Sequence, residues 1–150
     1  MAKTSKNKTI ASWLAFLGGS WGAHRFYLYG SGDLCAWLHA VPTALGLWGV
    51  DRVLTHGQDD PLSWVLLPLW GFNIAQSCLV AILYALTDQA RWNARFEAPA
   101  HHATGKTHWL TIVGVVFALM FGTIALMSSL VFSFQRYFEY QIEEARKISQ

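Results

Sequence analysis

Four apolar runs constrain this chain more than anything else in it: Ile10–Ala23, Leu34–Val50, Leu62–Leu86 and Trp109–Phe134. The last two reach about 25 residues, enough for a helix to cross a bilayer with some tilt. The first two, about 14 and 17 residues, are short for a span. Joined by a brief loop, and borrowing Thr9, Phe26 and Tyr27 at the interface, they are expected to form a tight helical hairpin. In lipid every backbone polar group needs an internal partner, which a helix supplies. The expected fold class is therefore an all-α integral membrane protein with four transmembrane helices, the first two a short helical hairpin. Its parts are a hairpin domain over residues 8–57, a second helix pair over 61–134 and a helical tail over 135–150.

Charge supports this reading. Only 13% of residues are charged, about half the share of a soluble domain. Six of the eight Trp (Trp13, Trp21, Trp37, Trp48, Trp64 and Trp109) fall near expected helix ends, where an apolar ring with one N–H anchors at the lipid–water boundary. A net charge of +2 without a basic stripe excludes nucleic acid as a partner. Lys3, Lys6 and Lys8 before an apolar run resemble a signal peptide. Trp21 spoils the small-x-small cleavage pattern at Ala23, and His24-Arg25 follow at once, so the segment is expected to be retained. Cys35 and Cys78 lie in apolar segments and read as small buried side chains. Pro42 and Pro68 are expected to kink the second and third helices.

Four spans put both termini on one side. That side then holds seven basic residues (Lys3, Lys6, Lys8, Arg52, Arg136, Arg146, Lys147) against four (Arg25, Arg91, Arg95, Lys106). The positive-inside rule places both termini in the cytoplasm. Within the spacer, Thr87 or Asp88 can cap a short helix near 88–97. Arg91 and Arg95 share one face of it, and Trp92 and Phe96 the next, which suits a helix lying on the membrane surface. In the tail, Glu143 and Lys147 form a four-apart pair. No internal repeat is apparent.

The run Leu14-Ala-Phe-Leu-Gly-Gly-Ser-Trp-Gly-Ala-His-Arg-Phe-Tyr-Leu28, with Gly46-Leu-Trp48 and Asp51 beyond it, resembles the signature of the TM-two domain family. That family has a Gly-rich first helix ending in a His-Arg-Phe-Tyr loop and a second helix ending near Trp and Asp. The match covers roughly residues 8–57. It departs at Tyr29, where the family has Gly; here Gly30 comes one place later. The resemblance is to the bacterial type. It implies a module of the cytoplasmic (inner) membrane with no established enzymatic activity, and it says nothing about the second helix pair.

Candidate functional residues are few. His24, Arg25, Phe26 and Tyr27, with Asp33, are expected to form an exposed recognition loop or a structural turn. Arg25 should pair with Asp33 rather than Asp51, because a helix of about 17 residues separates its ends by roughly 25 Å. Asp51 is then expected level with Lys6 and Lys8, or beside Arg52. Gly18 and Gly22, and Gly114, Ala118 and Gly122, are small residues at helix-packing spacing. They serve packing within the protein or against a second copy. Asn73, Gln76 and Ser77 put three polar groups on one face of the third helix, where each needs a partner. His39 lacks a second ligand on its own helix, so neither haem nor metal is implied. His101, His102 and His108 lack carboxylate support apart from Glu97. No nucleophile–base pair, phosphate loop or paired carboxylate is evident. The expectation is a non-enzymatic, cofactor-free interaction or scaffold protein whose partners are the lipid bilayer and another membrane protein or its own copy. The alternative is a small transporter or channel component.

Overall fold

The computed structural model describes residues 6–96 and 108–149, and there the chain is all-helical. Six helices run in order: α1 (Lys8–Gly18), α2 (Ala23–Tyr29), α3 (Leu34–His56), α4 (Ser63–Leu86), α5 (Gln89–Phe96) and α6 (Trp109–Ile148). A single 3-10 turn, Gly19–Trp21, joins α1 to α2. Two helices rather than four, α4 and α6, are long and apolar enough to cross a membrane. The 23-residue α3 is long enough, but His39, Pro42 and Thr43 lower its mean hydropathy. The run Ile10–Ala23 is not one helix.

That run breaks because of its glycines. Gly22 sits at φ 79°, a left-handed conformation that glycine adopts without the penalty a Cβ brings. A Cβ there would lie 2.3 Å from the Ala36 carbonyl oxygen. With no side chain in the way, the chain folds back against the start of α3. The Tyr27 hydroxyl returns to accept from the Asn7 N–H at 3.0 Å, and Lys6 lies over the Tyr27 ring at 4.9 Å. The first span of the expected hairpin is thus itself a half-depth hairpin, α1 rising and α2 descending, and the expected second span is α3.

This alters the threading. The Lys8 ammonium donates to the Thr87 carbonyl at 3.1 Å, and the Thr9 and Thr111 hydroxyls meet at 2.8 Å. The N-terminal end of α1 therefore lies with the end of α4 and the start of α6. At the far end, Arg136 on α6 reaches Gln58 and Asp59 between α3 and α4, both at 3.4 Å. The 24 residues of α4 separate these two ends by about 36 Å. The described chain starts at one end of the bundle and finishes at the other, so the expectation of both termini on one side is not met. Counting spans from apolar runs treated the half-depth hairpin as a full crossing.

The turns before α3 and α4 are built alike, and their sequences match at a displacement of 27 residues. Gly19, Trp21, Gly22, Arg25, Gly30, Asp33 and Trp37 recur as Gly46, Trp48, Gly49, Arg52, Gly57, Asp60 and Trp64. In each copy Arg and Asp pair at 2.6 Å. Each glycine ends its helix at φ 87° with ψ near 180°, a conformation essentially reserved for glycine. The Asp accepts from backbone N–H groups at the start of the next helix. The Trp indole donates back to the carbonyl just after the glycine, Trp37 to Ser31 at 3.2 Å and Trp64 to Gln58 at 3.0 Å. An internal repeat is therefore present. The shared residues are spaced Gly, Trp, Arg and Asp positions, and the apolar residues between them differ.

The rest of the bundle packs around α4. Ala15 of α1 is buried against Cys78, Ala81 and Ala118, so residues 8–57 share their core with the later helices. Trp13 donates to the Leu110 carbonyl at 3.2 Å, at the start of α6. Cys35 is exposed rather than buried. The expected short helix is present as α5, and of the two directions open to Trp92 and Phe96, lipid or bundle, they take the bundle; they are 2% and 9% exposed, and Trp92 donates to the Lys6 carbonyl at 2.8 Å. The last helix continues unbroken through the expected tail. There Lys147 pairs with Glu144 at 3.1 Å, not with Glu143.

Candidate functional site

The most concentrated chemistry inside the bundle surrounds the tip of the α1–α2 hairpin. The Asn73 amide donates to the Ser20 carbonyl at 3.0 Å, the His39 carbonyl at 3.2 Å and the Thr43 hydroxyl at 3.0 Å. Thr43 itself donates to the Ser20 carbonyl at 2.6 Å. A broken helix leaves carbonyls without helical partners; here two side chains on the neighbouring helices supply the donors. Ser77 spends its hydroxyl on the Asn73 carbonyl at 2.9 Å. Of the three expected polar residues of α4, Asn73 and Ser77 face this tip. Gln76 faces outward.

The motif residues are not an exposed loop. His24 is 1% exposed, its ring 5.5 Å from that of His39 and 5.8 Å from that of Tyr84. Its Nδ1 is buried without a partner. Phe26 packs edge-on against Trp37 at 5.3 Å, and Tyr27 caps the N-terminal end of α1. Arg25 is held by Asp33 and stacks over Tyr29 at 5.2 Å. The four residues form the descending helix α2 and its exit turn. His39 has a second imidazole beside it after all, contributed by another helix, which same-helix spacing does not reveal. Its Nδ1 meets the Cys35 carbonyl at 2.7 Å. Among the described residues no three metal-ligating side chains gather. His108 caps α6, and Glu97, His101 and His102 lie outside the described residues.

The acids of the two repeated turns are electrostatically matched. The Arg25 guanidinium, with backbone N–H groups, holds the Asp33 carboxyl below its ordinary value. Arg52 and then Ser63 hold Asp60 well below the usual carboxylate range. Asp51 lies with Asp60, at the end opposite Lys6 and Lys8. It is exposed, and Arg52 turns to Asp60 instead. The doubled-back hairpin makes α3 begin, not end, at the lysine-bearing face.

The small-residue stripe on α6 is spent within the protein. Gly114 faces the Trp13 ring, Ala118 is fully buried, and a Cβ on Gly122 would lie 2.7 Å from that of Cys78. Gly18 likewise abuts Ala23. Beside the stripe, α4 and α6 leave an apolar groove of about 290 Å³ whose walls include Gln76, Leu79 and Thr123. Comparison with protein-family models, curated proteins and solved structures found no match.

Proposed function

We propose that this chain is a TM-two-type protein of a bacterial cytoplasmic membrane that works by associating with other membrane proteins, without catalysing a reaction. On this reading α3, α4 and α6 cross the bilayer and the α1–α2 hairpin enters and leaves by the same face. The observation that carries it is the contrast between inside and outside. Asn73, Thr43 and the Ser20 carbonyl at the hairpin tip are spent on one another, which speaks against a polar path through the bundle among the described residues. The outer surface instead presents large apolar side chains, among them Leu38, Val65, Leu79, Leu83, Val116 and Val131. The transporter alternative draws on the broken first helix, a feature of many carriers. The two α4–α6 grooves among the described residues include neither Ser20, Thr43 nor Asn73 in their walls, which speaks against it.

Two measurements test the proposal. Purified full-length protein in liposomes should pass protons and alkali ions no faster than empty vesicles; flux that Asn73→Leu alters would favour the transporter. Photo-crosslinkers at Leu79 and Val131 in cells should give discrete protein adducts. Adducts to lipid alone would overturn the association role.

A further inference from the structure

From the α4–α6 groove we infer that two copies of this chain pair there, through reciprocal hydrogen bonds between their Gln76 side chains. The inference rests on the association reading and names the partner. Gln76 lies thirteen residues from the start of α4 and ten from its end, so roughly 15–20 Å of helix separates it from either end. It is exposed, it lines a groove whose walls are apolar but for Thr123, and its amide meets no partner among the described residues. An amide at that depth has no water to bond and is too deep to reach headgroups. An acyl chain in the groove would leave its two donors and its acceptor empty.

A second copy satisfies it without further parts. Two chains inserted in the same direction are related by a two-fold axis along the membrane normal, which brings equivalent residues together at equal depth. A carboxamide is self-complementary: each N–H donates to the other's carbonyl oxygen. Leu79 and Thr123 line the same groove and would flank the pair. The small-residue stripe that ordinarily offers such contacts is already occupied by α1 and α4, which leaves the groove beside it for a partner.

The test uses the full chain in phospholipid vesicles over a range of protein-to-lipid ratios, with subunits counted by single-molecule photobleaching. Wild type should dimerise, Gln76→Leu should dimerise about tenfold more weakly, and Gln76→Asn should retain most of the association. In a Cys35→Ser background, Leu79→Cys should form a disulfide-linked dimer on mild oxidation. Val41→Cys, exposed on α3, should not. A wild type that stays monomeric at every ratio, an unaffected Gln76→Leu, or equal cross-linking at Val41 would each overturn the inference. So would a bound phospholipid seen by native mass spectrometry on the monomer and lost in Gln76→Leu. If dimerisation fails while cellular cross-links to other proteins persist, only this inference falls and the association reading stands.

Discussion

Replacing Asn73 with Leu isolates what holds the half-depth hairpin in place. The two side chains share the same branched skeleton and Leu is the larger, so the substitution removes donors without opening a cavity. Asn73 meets three acceptors but has only two N–H groups, so at most two full bonds are lost. Hydrogen bonds between helices in membranes average about 0.6 kcal/mol and reach about 1.7, which gives an expected loss of about 1–3 kcal/mol. Thr43 still holds the Ser20 carbonyl, so the hairpin should loosen without the bundle dissolving. Steric-trapping measurements in bicelles report the global loss. The local effect is read from Ser20→Cys in a Cys35→Ser background. Ser20 contributes only its backbone carbonyl to the network, so the probe is mild, and maleimide should label it faster once Asn73 is replaced. Unchanged stability together with unchanged labelling would refute the role given to Asn73.

The repeated turns make matched predictions. Gly30→Ala and Gly57→Ala should each destabilise by about 1–3 kcal/mol and by similar amounts, since both sit at φ 87° and a Cβ at either meets nothing within 4 Å; unequal losses in denaturant titrations would break the equivalence. Acid sensitivity should trace to the paired carboxylates. Because Asp33 and Asp60 have lowered folded values, their contribution is present above the unfolded value of about 4 and is lost as pH falls through the folded ones. The two carboxylates should therefore add no pH dependence between neutral pH and about 4 and a loss of stability below that, and Arg52→Ala should shrink that loss, as followed by pH-dependent unfolding of the variant against the wild type.

The amphipathic α5 was legible because Trp92 and Phe96 stand at a spacing of four with Arg91 and Arg95 beside them, and that pattern has one solution on a helix. The Arg25–Asp33 pair was legible because helix length alone removes Asp51 from reach. Neither argument touches the direction the chain takes after Gly18. The repeat was not legible in the hydropathy pattern: it consists of seven spaced Gly, Trp, Arg and Asp residues, while the apolar residues between them differ and dominate any reading of hydropathy.

What the sequence determined by itself is the helical, apolar character of the chain. That follows from the cost of an unpaired backbone in a non-aqueous setting and needs no knowledge of neighbours. How far each apolar run travels depends on contacts distant in the chain. A Gly-Gly-Ser-Trp-Gly segment can continue a helix or break it, and the break is stable where other helices bring donors to the freed carbonyls. Thr43 and Asn73 do this at Ser20 from 23 and 53 residues away. The same fold-back sets His24 beside His39, sends Asp51 to the opposite end from the lysines and parts the two ends of the chain.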